Sequence, residues 1–161
     1  MCNNILFCDT DGVLNNDDTI RTIKGTNRKG MDPLLVNNLK HIVVQSGCKI
    51  VVSSAWRLAF GKKPFNKQAD FFVDLLDLGG QVIIDAVIDR TPCMMDNDVP
   101  LMLHGRMHEI QYWLDHNPGY GKIAIVDDVY FDHPLTKHLF QTDSKFGLTK
   151  DIADKIIQHL I

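Results

Sequence analysis

The chain reads as an α/β domain in which a mostly parallel sheet is covered by helices on both faces. Three observations lead there. Short apolar runs of strand length alternate with longer stretches whose apolar residues recur at helical spacing. Strand–helix–strand alternation joins parallel strands by right-handed crossovers. Polar residues able to do chemistry stand just after successive apolar runs, where open parallel sheets bind ligands. With 161 residues, 45% of them hydrophobic, one full core is within reach, and residues 1–161 are expected to form one domain.

The elements follow in order. Residues 4–8 form the first strand, rich in Ile5, Leu6 and Phe7. Residues 33–44 carry Leu34, Leu35, Leu39, Ile42 and Val43 at helical spacing, with Asp32 as N-cap, Pro33 at the first helical position and Gly47 as the stop. Residues 49–52 make the second strand. A helix over 65–78 places Phe71, Phe72, Leu75, Leu76 and Leu78 on one broad face and ends at Gly79-Gly80. The apolar run at 81–88 reads as the third strand, 107–115 as a helix with Ile110, Trp113 and Leu114, and 122–126 as the fourth strand. A weaker strand at 138–141 and a helix at 149–160, capped by Thr149, complete the order. Residues 12–31 and 91–104 lack periodicity and read as loops near the rim of the sheet.

Composition narrows the function classes. A formal charge of −3 gives no overall basic footprint and argues against tight, salt-driven binding of long duplexes, although a local patch remains open. No apolar run approaches the roughly 20 residues of a membrane helix, and the N-terminal run breaks at Asp9, too early for a secretory signal; a cytoplasmic protein with no membrane partner is expected. Cysteines at 2, 8, 48 and 93 form no C-x-x-C pair, so reduced thiols are expected rather than a disulfide framework or zinc site. His104 and His108 have metal-compatible i, i+4 spacing but no third ligand in register.

The first strand ends in Asp9-Thr10-Asp11-Gly12. Residues i and i+2 of a strand share a side, so Asp9 and Asp11 are expected to crowd one volume at its tip. At about 5 Å and an effective dielectric of about 20, two carboxylates repel by roughly 3 kcal/mol, which a cation or a shifted pKa must offset. Ser53, Ser54 and Arg57 follow the second strand, and Asp127 and Asp128 the fourth.

With these motifs in order, the chain resembles the haloacid dehalogenase (HAD) superfamily of phosphatases. Asp9-Thr10-Asp11-Gly12 matches the first motif, Ile50-Val51-Val52-Ser53 the second, and Ile123-Ala124-Ile125-Val126-Asp127-Asp128 the fourth. Ser53-Ser54-Ala55-Trp56-Arg57, the segment 106–114, the Asp127-Asp128 pair and Gly147-Leu148-Thr149 look more narrowly like the HAD domains of Swiss army knife RNA repair proteins. The resemblance implies a Rossmann-like HAD fold with at most a minimal cap. It implies Asp9 as nucleophile forming an aspartyl-phosphate, and Asp11 as the acid that protonates the leaving oxygen and then activates water. Mg²⁺ would be bound by Asp9, the Asp11 carbonyl and Asp128, with Asp127 orienting metal-bound water or a neighbouring backbone group. Ser53 would hydrogen-bond a phosphoryl oxygen. For the lone basic residue of the third motif Arg106 is the choice, with Arg90 and Arg57 behind it. Ser54, Arg57, Thr10 and Gly12 are expected to contact substrate.

Asp11 argues against dehalogenases, which lack an acid there, and short inter-motif segments leave an open site. A phosphomonoesterase acting on nucleic-acid end phosphates, the 3′-phosphate foremost, is therefore the leading expectation. In repair it would depend on separate kinase or ligase enzymes. A nucleotidase for free mononucleotides and a catalytically silent phosphate-binding module remain alternatives. Blander readings stand beside these roles. Asp-Gly is common in turns, Ser53-Ser54 can cap a helix, Arg57 can form a structural salt bridge, Trp56 and Trp113 can simply pack, and Cys8 belongs to the core.

Overall fold

In a computed structural model that describes residues 2–93 and 105–161, the strands β1 (Ile5–Cys8), β2 (Lys49–Val52), β3 (Val87–Arg90), β4 (Ile123–Asp127) and β5 (Leu139–Gln141) form one sheet. The spatial order is β3-β2-β1-β4-β5, with every neighbouring pair parallel. The sheet is thus the Rossmann-like, helix-flanked α/β arrangement that the sequence predicts. No helix among the described residues is long and apolar enough to cross a membrane.

Alternation along β1 sorts the core into two layers. Leu6 and Cys8 face a cluster built with α1 (Pro33–Ser46), α2 (Asp70–Asp77), α3 (Gln81–Ala86) and α5 (Lys150–Leu160). Ile5 and Phe7 face the opposite cluster, supplied by Met107, Ile110, Trp113 and Leu114 of α4 (Arg106–His116). Phe7 meets Trp113 edge-on at 5.5 Å between ring centroids, so Trp113 packs as expected, and its indole N–H donates to Asp89 at 2.8 Å.

Local chemistry explains the helix ends. Asp32 accepts from Leu34 N at 2.8 Å and Leu35 N at 3.4 Å, Pro33 opens α1, and Gly47 closes it in the left-handed region. Thr149 caps α5 through Ile152 N. Two expected elements differ. The run 81–88 divides: Ile83 and Ala86, one turn apart, are buried on helix α3, and only Val87 begins the strand. A short apolar run satisfies either period, and contact with α1 and α2 selects the helix here. The helix expected at 65–78 starts at Asp70, because Asn66 first turns the chain: its N–H donates to Phe60 O and its side chain accepts from Gln68 N.

The segment 12–31 is fastened to α2. Thr22 pairs with Lys29 in an antiparallel bridge. Arg21 Nη1 donates to the fully buried Asp74 at 2.7 Å, Asp74 also accepts from Met31 N at 2.6 Å, and Arg28 makes two hydrogen bonds to Asp70. Residues 94–104, most of the second expected loop and His104 with it, lie outside the described residues.

Candidate active site

The sheet register places the site. Asp9 N donates to Val126 O and Ser53 N to Cys8 O, so the ladder continues one residue beyond the strands. Ser53, Asp9 and Asp127 then form a row across β2, β1 and β4, on the sheet face that α4 covers. Arg106, the first residue of α4, reaches that row. Its Nη1 lies 3.0 Å from Asp9 Oδ2 and 2.6 Å from Asp127 Oδ2. Asp127 is fully buried, and its other oxygen accepts from Val129 N at 3.0 Å.

Asp9, Asp127 and Asp128 offer carboxylate oxygens within 4.8 Å of one another. With Arg106 as the one cation in contact among the described residues, the ionised cluster carries two negative charges in excess. Burial and the charge of Asp127 push the Asp9 carboxyl up to about 7, against the pull of Arg106, and Asp128 adds to the rise. Asp128 is itself raised, by burial first and Asp127 second. A hard divalent cation matches both the oxygen donor set and the missing charge, so the residues present fit Mg²⁺.

Gly12 admits Asp128 to this cluster. Its φ is +77°, and a Cβ there would lie 2.3 Å from Asp128 Oδ2. Both its backbone groups are engaged, the N–H to Asn15 Oδ1 at 3.0 Å and the carbonyl to Thr142 Oγ1 at 2.7 Å. Its missing side chain therefore lets Asp128 approach. The Gly147-Leu148 segment buttresses the same turn, since Leu148 N donates to Val13 O at 2.8 Å.

Asp11 does not crowd Asp9 as the strand period suggests. The chain turns at Thr10, whose carbonyl accepts from both Val13 N and Leu14 N, and the Asp11 side chain points elsewhere. Asn15 Nδ2 donates to one carboxylate oxygen at 2.9 Å and Trp56 Nε1 to the other at 3.2 Å. The crowding partners of Asp9 are instead Asp127 and Asp128. Trp56, for which packing is the blander reading, is thus also a donor to Asp11. Trp56 stands in the Ser53-Ser54-Ala55-Trp56-Arg57 motif, but its contact with Asp11, like that of Asn15, depends on the path of the turn and is not legible in the sequence.

Arg57 is held inside the protein. Burial pulls its pKa down, with Glu109 opposing. Its guanidinium donates to Glu109 Oε2 at 2.8 Å and to the carbonyls of Thr91, Ser54 and Pro92. Those bonds tie the turn 55–59 to α4 and make the structural salt bridge that is one of the two readings of Arg57. Ser54 acts as a cap, accepting from Trp56 N at 3.1 Å, and its O–H is left to donate. Arg90 donates to Arg57 O at 3.0 Å, whereas Arg106 is the basic residue brought to Asp9. The hydroxyls of Thr10, Ser53 and Thr91 are buried at the strand tips and have no hydrogen-bond partner among the described residues. Unpaired buried hydroxyls are rare and call for an explanation such as a ligand. Thr91 escapes sequence reasoning because its level in the sheet depends on the late start of β3.

A family model described as the HAD domain in Swiss Army Knife RNA repair proteins matches residues 5–153. Comparison with curated proteins and with solved structures gives no match. The family match runs from the start of β1 into α5 and takes in every residue of the acidic cluster together with Arg106, Ser53 and Trp56. By that coverage, the chain belongs to the family of HAD domains found in Swiss Army Knife RNA repair proteins.

Proposed function

We propose that the protein is a Mg²⁺-dependent phosphomonoesterase that works through an aspartyl-phosphate, acting on phosphates at nucleic-acid ends, foremost the 3′-phosphate, in RNA or DNA repair. The observation that carries the reading is Asp9 set between Arg106 and the Asp127-Asp128 pair, with Asp11 two residues away and held clear of that cluster.

In the first step an Asp9 carboxylate oxygen attacks phosphorus in line. The bond to the leaving oxygen breaks, and the proton on Asp11 passes to that oxygen. In the second step the Asp11 carboxylate takes a proton from water, the water oxygen attacks phosphorus, and the bond to Asp9 breaks, releasing phosphate. Arg106 stabilises charge on the transferring group, and the unpaired hydroxyls of Ser53 and Thr10 are donors for its oxygens. Asn15 and Trp56 fix the direction of Asp11. Asp9, Asp127 and Asp128 would hold Mg²⁺, which supplies positive charge that lets an anionic carboxylate approach an anionic phosphate.

The test is Mg²⁺-dependent phosphate release by wild type and Asp9→Asn, with 3′- and 5′-phosphorylated oligonucleotides, mononucleotides and an aryl phosphate. Release from oligonucleotide ends, lost in Asp9→Asn, supports the full reading. Preference for mononucleotides moves the substrate to free nucleotides. No release from folded protein overturns the enzyme.

A further inference from the structure

The surface next to Asp11 differs in charge from the rest of the chain. Residues 19–31 and 54–69 contain eight of the 17 lysines and arginines and no aspartate or glutamate, while the other nine share the remaining sequence with all 20 acidic residues. The two segments meet. Between them lies a cleft of about 440 Å³, lined by Asp11, Ile23, Trp56, Leu58 and the exposed Arg28 and Lys29. Its volume is that of a small-ligand site. Leu58 is 59% exposed, although an apolar side chain beside a charged surface gains from being covered.

Not all eight cations are available to a ligand. Arg57 is buried with Glu109, Arg21 and Arg28 are paired with aspartates of α2, and Lys63 lies 3.2 Å from Asp89. Lys24, Lys29, Lys62 and Lys67 are exposed and form no ion pair among the described residues. Two stand on each segment: Lys29 lines the cleft and donates to Asn16 O, Lys67 lies over the Phe72 ring at 4.1 Å, and Lys24 and Lys62 belong to the two segments that form its walls. The walls are fixed, since Arg28 and Asp70, which both line the cleft, are bonded to each other at 2.7 and 2.9 Å.

An apolar cleft with Trp56 in its wall, between two segments whose lysines are free of acidic partners among the described residues, is the chemistry that seats a single nucleic-acid strand, with bases against the apolar surface and phosphodiesters on the cations. The Asp11 carboxylate lies in the wall of the same cleft, where a leaving oxygen must receive its proton. We propose that the cleft and Lys24, Lys29, Lys62 and Lys67 form the seat of a single-stranded polynucleotide end, with its terminal nucleoside against Trp56 and Leu58 and the following phosphodiesters on the four lysines. The orientation toward Asp11 rests on the phosphatase reading above; the strand contact does not.

The experiment measures fluorescence anisotropy of a labelled, 3′-phosphorylated ten-nucleotide single strand, with the full chain in EDTA so that the strand is not consumed. Four phosphate contacts give a log–log salt slope of about −3, and Lys24→Glu/Lys62→Glu flattens it by about 1.4. That pair is expected to weaken binding at least tenfold at low salt, as is Leu58→Asp. Lys40→Glu/Lys137→Glu, an equal charge change at exposed sites outside both segments, stays within threefold. Thermal melts establish that each variant is folded. Equal loss from both lysine pairs, or loss from neither, overturns the seat, and an unaffected Leu58→Asp overturns the place given to the nucleoside. Phosphate release from a small phosphoester without strand binding removes the seat and leaves the phosphatase; strand binding without turnover on any phosphoester removes the phosphatase alone.

Discussion

Replacing Asp9 is expected to make the metal-free protein more stable, and the gain depends on pH. Burial and Asp127 raise the Asp9 carboxyl from 3.8 to about 7. Between those values the folded protein holds a proton that the unfolded chain has released. The contribution of this group to stability is therefore full below about pH 4 and is lost as pH rises through about 7. The difference corresponds to about 4 kcal/mol at most. Local relaxation and ion entry return part of it, so a gain of about 2 kcal/mol is expected for Asp9→Asn at pH 8 in EDTA, or about 4–8 °C in Tm for a chain of this size. The asparagine keeps a carbonyl oxygen for Arg106, which lies 3.0 Å from Asp9 Oδ2 and still has Asp127. At pH 5 folded Asp9 keeps its proton while the unfolded chain has released it, so only about 1.6 of the roughly 4 kcal/mol is lost, and the gain for Asp9→Asn should shrink to less than half of its pH 8 value. Adding Mg²⁺ at pH 8 should raise the wild-type Tm more than that of the variant, since the cation supplies the missing charge. The assay is thermal and urea unfolding of both proteins at pH 5 and 8, with EDTA or Mg²⁺. A variant that is less stable at pH 8, or that shows the same difference at both pH values, refutes the account of the cluster.

Other perturbations have equally direct readouts. Gly12→Ala places a Cβ 2.3 Å from Asp128 Oδ2 at a φ of +77°; a loss of at least about 2 kcal/mol is expected, with weakened Mg²⁺ stabilisation in thermal melts. Trp56→Phe keeps the ring and removes the donor to Asp11; steady-state kinetics should show kcat reduced about tenfold, near the low end for a hydrogen bond to a charged group, with folding intact by circular dichroism. Asp74→Ala leaves Arg21 and Met31 N without their buried acceptor; urea titration should show a loss of about 3 kcal/mol.

Much of the scaffold is written in short-range signals. Asp32, Pro33 and Gly47 bound α1 through bonds within a few residues of each cap, and the D-x-D-G turn shows where β1 ends. The acidic residues after β1 and β4 follow from the rule that parallel sheets gather chemistry at their carboxyl ends. Contacts that span the chain are where sequence reasoning stops. Trp56 to Asp11 crosses 45 residues and Arg57 to Glu109 crosses 52, and each is decided by how a turn lies on its neighbours. The run 81–88 fails for a different reason, since Val82, Ile83 and Ile84 suit a buried helix as well as a strand, and only packing decides.

Covalent phosphorylation of Asp9 is the claim on which the functional account depends most directly. Wild-type protein turning over a 3′-phosphorylated oligonucleotide with Mg²⁺ should be quenched with borohydride, which reduces an aspartyl-phosphate to homoserine, and the modified residue located by peptide mass spectrometry. The account requires homoserine at position 9 and nowhere else, with none formed when substrate is omitted. Turnover that leaves Asp9 unmodified, or that marks Asp11, Asp127 or Asp128 in its place, contradicts it.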